Sequence, residues 1–150
     1  MIKYSEPRDA PKVVARLKAA GYRITPQRVA IVKALLASYE HPTVENIYNR
    51  VRQEFSTTSV ATVYNTLECL KKLGEVLELP RARGTRYDGR NPEPHPHLSC
   101  SACGKVEDLE IDLGLVGEEL GEKSGYSDII YQLEFTGLCP ACQGIRRNGL

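Results

Sequence analysis

The sequence predicts an α+β chain in two parts. An N-terminal winged helix-turn-helix domain spans residues 1–90, a small C-terminal α/β domain spans residues 98–150, and residues 91–97 form the hinge. Three observations carry this reading. Helical punctuation with 3.6-residue apolar periodicity runs from residue 10 to residue 75, then gives way to two short strand-like runs around a basic turn. Four of the five cysteines arrive as two CxxC pairs, Cys100-Ser-Ala-Cys103 and Cys139-Pro-Ala-Cys142, both in the C-terminal half. Charge is divided under a net of only +1, with 16 Lys/Arg against 9 Asp/Glu in residues 1–90 and 4 against 10 in residues 91–150. A basic first part joined to an acidic second suggests that the first alone meets a polyanion.

The first helix, residues 10–20, carries Val13, Val14 and Leu17 and stops at Gly21. Thr25-Pro26 supplies an N-cap and a proline at the first helical position of the second, with Val29, Val32, Leu35 and Leu36 on one face. Pro42-Thr43 opens a third, where Val44, Ile47, Tyr48, Val51 and Phe55 make an amphipathic stripe. The fourth runs from Ser59 to Gly74, with Val60, Val63, Leu67, Leu70 and Leu73 on its buried side and Ala61, Thr62, Asn65 and Thr66 on the other. That outer face is small, polar and nearly uncharged, which lets a helix approach base edges closely. Asparagine pairs with adenine in a bidentate way, and apolar atoms meet a thymine methyl. Tyr64 falls at the border, either packed at the helix edge or reaching toward DNA.

Residues 75–79 and 85–88 read as two strands flanking Pro80-Arg81-Ala82-Arg83-Gly84. Helices followed by a basic two-stranded wing form the helix-turn-helix variant in which Arg81, Arg83 and Arg86 supply sequence-blind phosphate affinity. Asn91-Pro-Glu-Pro-His-Pro-His97 is too proline-dense for a helix and is read as the hinge. Beyond it come a strand over residues 106–111 and a short helix opened by Asp112. That helix has Leu113, Val116 and Leu120 on one side and is weakened by Gly114, Gly117 and Gly121. In a longer strand Ile129, Tyr131, Leu133 and Phe135 alternate with Ile130, Gln132 and Glu134. A piece of about 55 residues buries too little surface to stand alone, so a metal staple and a partner copy are expected.

Four thiolates in two close pairs satisfy the tetrahedral demand of a structural Zn²⁺ and leave no open position for chemistry. His95-Pro-His97 places two imidazoles at i and i+2, on the same side of an extended segment. His41 stands in a loop before the third helix, where a plain surface role is the ordinary alternative. Two carboxylates are suggestive: Asp88 at the end of the wing, and Asp108 on the face shared by Val106 and Glu110. Three imidazoles and two carboxylates suit Fe²⁺ or Mn²⁺, although Zn²⁺ binds such ligands more tightly, so availability must help to select the metal.

Together, Gly21-Tyr-Arg-Ile-Thr-Pro-Gln-Arg28, His41-Pro-Thr, Ser59-Val-Ala-Thr-Val-Tyr-Asn-Thr-Leu67, His95-Pro-His97 and both CxxC pairs resemble the ferric uptake regulator (Fur) family from end to end. The resemblance implies a homodimeric repressor with a C-terminal dimerisation domain and a Cys₄ structural zinc. It also implies binding to a pseudo-palindromic double-stranded DNA operator when a second, regulatory metal is present. Within the family the chain is most similar to the peroxide-sensing (PerR) branch, whose regulatory ligands match His41, Asp88, His95, His97 and Asp108. Asn65 matches that branch, and aspartate at Asp108 is linked there to peroxide sensitivity. By resemblance Arg23 enters the minor groove and Tyr64 contacts bases, with Arg28, Ser59 and Thr62 completing the DNA-binding set. With Fe²⁺ the branch oxidises a ligand histidine, here His41 or His95; with Mn²⁺ it represses without responding. The chain departs from the pattern in three places. The loop from Asp88 to His95 is one residue longer, Pro94 and Pro96 interrupt the histidine-rich stretch of many iron regulators, and Tyr131 stands where a further histidine is common.

Two other readings remain open. An iron- or manganese-level-responsive regulator would use the same ligands without sensing peroxide. A metal-dependent hydrolase would use His95, His97 and a carboxylate around an activated water. No general base accompanies that second arrangement, and a basic winged helix would be idle in it, so a non-enzyme is expected. A zinc-responsive regulator would add a cysteine, but the spare Cys69 lies inside the fourth helix and reads as a packing residue. No apolar run reaches the roughly 18 residues of a membrane-spanning helix, and the N-terminus lacks a signal-peptide core, so a cytoplasmic location is expected.

Overall fold

A computed structural model describes residues 8–111, 114–129 and 133–147. The chain falls into two units, Ser5–Glu93 and Pro94–Leu150. Among the described residues no helix is long and apolar enough to cross a membrane.

The first unit opens with α1 (Ala10–Ala19), which buries Val13 and Leu17. In α2 (Pro26–Ala37) the Thr25 side chain caps the helix by accepting the Arg28 N–H at 3.2 Å. The sequence suggests one apolar face on α2, yet Ile31, Val32, Ala34, Leu35 and Leu36 are all buried and Val29 only half so. The reason is its central place, packed by α1, α3 (Val44–Val51) and α4 (Val60–Lys72). Thr43 and Asn46 close a reciprocal capping box on α3. This helix ends at Val51, short of Phe55, which still packs against the core from the following turn.

Two assignments on α4 are corrected. Val60, expected inside, is 43% exposed, and Thr66, expected outside, is fully buried. Thr66 stands three residues after Val63 and four before Leu70, so the helical repeat draws it onto the same stripe. Its hydroxyl donates to the Thr62 carbonyl at 2.8 Å, which removes the cost of burying it. Val60 lies at the N-terminal tip of the helix, where less protein surrounds it.

The wing is a two-stranded antiparallel sheet of β1 (Leu77–Leu79) and β2 (Arg86–Asp88), with Leu77 opposite Asp88. At the α4–β1 junction the fully buried Glu75 is ion-paired with both Arg8 and Arg16. Arg8 Nη1 also donates to the carbonyls of Glu75 and Gly89, each at 2.9 Å. Gly89 is required by space rather than by backbone angle. A Cβ there would meet Leu35 Cγ at 2.6 Å and Cδ2 at 2.9 Å, and Leu35 is itself 1% exposed with nowhere to retreat. Gly89→Ala is therefore expected to lower stability by about 1–3 kcal/mol. Urea unfolding followed by circular dichroism checks this, and an unshifted midpoint would contradict it.

The second unit is built on a three-stranded sheet in the order β4–β3–β5. Strand β3 (His97–Cys100) pairs antiparallel with β4 (Val106–Asp108) and parallel with β5 (Glu134–Gly137). Two helices accompany it, α5 (Gly114–Ser124) and α6 (Pro140–Arg147). The strand expected over residues 106–111 is shorter: Leu109 N–H still donates in register to Pro96 O at 2.9 Å, but Pro96 has no N–H to return and the ladder stops there. Asp112 and Leu113, expected to open α5, and residues 130–132 of the expected long strand lie outside the described residues. Ile111, Val116, Leu120, Tyr126 and Phe135 are exposed in this single chain.

Candidate metal centres

The four paired cysteines come together. One ligand sulfur from each of Cys100, Cys103, Cys139 and Cys142 lies within 4.8 Å of the others. The parallel pairing of β3 with β5 sets Cys100 opposite Gly137, which delivers Cys139 two residues later. Gly104, at φ +75°, adopts a left-handed turn that few other residues take without strain. Around it Gly104 N–H donates to Cys100 O at 2.9 Å and Cys100 N–H to Lys105 O at 2.8 Å. Pro140 starts α6, so Cys142 follows Cys139 by one helical turn. Cys103 Sγ and Cys139 Sγ are 3.8 Å apart. A tetrahedron with Zn–S bonds of about 2.3 Å has edges of about 3.8 Å, so the spacing fits Zn²⁺. Electrostatics agree. Backbone N–H groups of Cys103 and Cys139 lower the Cys100 thiol to about 5, while hydrogen bonding to Cys139, then burial and the other thiols, push Cys142 up to about 12. One thiolate opposes the next unless a cation joins them.

The histidines and aspartates are set in two groups. In the first unit His41 Nε2 lies 3.3 Å from Asp88 Oδ2, both residues buried. Asp88 Oδ1 accepts the N–H groups of Arg90 at 2.9 Å and Asn91 at 3.0 Å, which turns Oδ2 toward the imidazole. His41 has φ +50°, unusual for a non-glycine residue and more so before a proline. Strand β2 holds it there, with Tyr87 N–H donating to Pro42 O at 3.0 Å and Arg86 Nη1 to His41 O at 3.3 Å. Arg86, read from sequence as a phosphate contact, thus turns toward this loop.

In the second unit His97 and Asp108 are cross-strand partners on β3 and β4. His97 Nε2 lies 3.5 Å, and His95 Nε2 3.0 Å, from the same oxygen, Asp108 Oδ1. The two imidazole rings are 4.2 Å apart and tilted by 44°. Neutral ring nitrogens bearing lone pairs repel a carboxylate oxygen at such distances. The nitrogens must therefore carry protons or share the oxygen with a cation. A donor set of imidazole nitrogen and carboxylate oxygen, buried and pre-aimed, fits a divalent first-row metal.

On α4, Ser59 caps the helix and its Oγ is 2.8 Å from Thr62 Oγ1, while Tyr64 and Asn65 are exposed. Arg23 is exposed, but Arg28 points inward. Its Nη1 donates to Arg23 O at 2.6 Å and its Nε to Thr66 Oγ1 at 3.4 Å, which ties α2, the Arg23 loop and α4 together. The sequence reading passed over Arg90, whose guanidinium stacks on Tyr39 at 3.8 Å. The signal available was the Asp88-Gly89 turn pair just after a strand.

Comparison with known proteins gives concordant answers. A family model described as "Ferric uptake regulator family" matches residues 19–136. The peroxide-responsive repressor PerR of Staphylococcus aureus is 37% identical over 131 residues, 87% of this chain and 88% of its own. The structure of the Helicobacter pylori ferric uptake regulator Fur, described as having three functional metal binding sites, aligns with TM-score 0.81 at 26% identity. That alignment covers 91% of this chain and 95% of the other. PerR from Streptococcus pyogenes, described for peroxide sensing and gene regulation, aligns at 32% identity and TM-score 0.51 over 94% of this chain and 98% of its own. Sequence, fold, four-cysteine cluster and His/Asp site agree: this chain belongs to the ferric uptake regulator family of metal-dependent transcriptional regulators, which are not enzymes.

Proposed function

We propose that this protein is a peroxide-responsive repressor that binds a pseudo-palindromic operator as a homodimer. Cys100, Cys103, Cys139 and Cys142 hold a structural Zn²⁺, and His41, Asp88, His95, His97 and Asp108 together hold one regulatory Fe²⁺ or Mn²⁺. The observation that carries the reading is the preparation of these five side chains. Each imidazole already meets a carboxylate oxygen within 3.5 Å. Neither the His41–Asp88 pair nor the His95–His97–Asp108 trio fills the coordination sphere of such an ion, so five ligands on one ion is the natural completion. The peroxide response is supported by the names of the S. aureus and S. pyogenes relatives.

Fe²⁺ held by these ligands would activate hydrogen peroxide beside the histidines. Overall, one peroxide would place one oxygen on the ring of His41 or His95 and leave as one water, and the oxidised ring would no longer offer its basic nitrogen as a ligand. The remaining ligands then no longer bind tightly enough to keep the DNA-binding part committed to the operator, and repression ends. On the DNA side, Tyr64, Asn65, Ser59 and Thr62 of α4 face the major groove and Arg23 the minor groove, with Arg28 holding the Arg23 loop in place. The exposed Ile111, Val116, Leu120, Tyr126 and Phe135 are covered by the second copy. Operator binding sets the protein's place of work in the cytoplasm.

The test compares operator binding by the Fe²⁺ and Mn²⁺ forms before and after hydrogen peroxide, with mass spectrometry of the histidine peptides. The Fe²⁺ form is expected to release DNA and gain one oxygen on the His41 or His95 peptide, while the Mn²⁺ form stays bound. Release without added oxygen refutes the oxidation mechanism. Indifference of the Fe²⁺ form to peroxide leaves a regulator of metal level, and binding independent of both metals refutes the regulatory site.

A further inference from the structure

Asp88 is held by a turn that is itself fastened on several sides. Its Oδ1 accepts the N–H groups of residues 90 and 91. Gly89 lies so close to Leu35 that no Cβ fits, and its carbonyl accepts Arg8 Nη1. Arg90 then turns inward and is only 7% exposed. Its guanidinium sits 3.8 Å from the centroid of the Tyr39 ring, and Nη1 donates to Leu36 O at 3.3 Å. Leu36 is in the last turn of α2, where carbonyls lack helical partners and carry the negative end of the helix dipole. A buried guanidinium is costly unless its surroundings are arranged for it, and a π face plus a helix C-terminus is such an arrangement.

We propose that Arg90 is a positioning residue for the regulatory metal. By pinning the turn to the end of α2, it holds the Asp88 carboxylate in the orientation that coordination requires. It also makes that orientation depend on where α2 sits. This rests on the reading of Asp88 as a ligand. Arg90 acts through the turn backbone, so its role is that of an outer-shell partner, whose loss commonly costs about 10–100-fold in metal affinity.

The experiment is calorimetric titration of Mn²⁺ into the zinc-loaded full chain for wild type, Arg90→Met, Asp88→Ala and the double variant. Amide hydrogen exchange at positions 90 and 91 is measured in the same proteins without Mn²⁺. Arg90→Met is expected to weaken Mn²⁺ binding by about 10–100-fold and to speed exchange at both amides. The double variant is expected to bind no more weakly than Asp88→Ala alone, because the effect passes through Asp88. Val13→Ala, a destabilising change in the α1 core, is expected to leave Mn²⁺ affinity unaltered, which separates positioning from general loss of stability. Wild-type affinity in Arg90→Met, or losses that add in the double variant, overturns the proposal. Unchanged affinity in Asp88→Ala overturns it together with the ligand reading beneath it. Should Arg90→Met fail to fold, Tyr39→Leu removes the π face and keeps the arginine. A smaller weakening in the same direction supports the proposal, and none overturns it.

Discussion

Replacing Cys139 with Ser is expected to unfold the C-terminal unit and abolish operator binding. The four sulfurs join Cys100 at the end of β3 to the start of α6, and among the described residues the ladder between those segments is the short parallel pairing of β3 with β5. Parallel pairs are less stable per residue than antiparallel ones, and strands of four residues contribute little alone. Among the described residues of this unit Val106 is buried, but Ile111, Val116, Leu120, Tyr126 and Phe135 are exposed in the single chain, so burial compensates little. A structural zinc supplies about 10–16 kcal/mol of apparent binding free energy. That matches or exceeds the roughly 5–15 kcal/mol that holds an entire domain folded. Zinc content and near-ultraviolet circular dichroism measure the outcome. The helical signal of the first unit is expected to survive, because Leu17, Ile31, Leu35, Ile47 and Leu70 form a core of their own. One zinc per chain and a native spectrum in Cys139→Ser would refute the structural role.

His97→Ala is expected to do the opposite: keep the zinc and lose the switch. His97 is 2% exposed and lies directly across the ladder from Asp108. Removing it takes away a nitrogen donor and leaves the Asp108 carboxylate short of a partner. Loss of an outer-shell partner alone costs about 10–100-fold, so loss of a ligand is expected to weaken Mn²⁺ binding by more than about 100-fold. By linkage, metal-stimulated DNA affinity falls with it. Mn²⁺ titration, zinc analysis and operator binding at fixed Mn²⁺ read the three consequences separately. If Mn²⁺-dependent operator binding persists, His97 is not a ligand. If zinc is lost as well, the two centres are not independent.

The helices of the first unit were legible because caps and periodicity agree there. Thr25, Thr43 and Ser59 each sit at the cap that the sequence indicates. Errors fell where a local pattern met tertiary surroundings. Val60 and Thr66 exchanged places because periodicity does not reveal where a helix tip outruns its neighbours. Strand β3 was hidden, since His97-Leu-Ser-Cys100 is only four residues long, has no β-branched side chain and forms through pairing with both neighbours. Helix α6 is eight residues long with a glycine inside and showed no helical stop or start beyond Pro140. Arg86, read as a phosphate contact, donates to the His41 carbonyl, a partner that no local pattern indicates.

The sequence by itself determined the chemistry on offer: two CxxC pairs at the spacing of a tetrahedral metal site, three histidines and two aspartates of a kind that suits a second metal, and a helix face of small polar residues. Ligand type and local spacing are properties of the chain, so they can be read before it folds. Only the tertiary structure decided which oxygen each imidazole meets, that His97 and Cys100 share one short strand, and that a buried arginine stands behind Asp88. Such facts depend on strand register and on contacts between residues distant in sequence, and no local pattern encodes them.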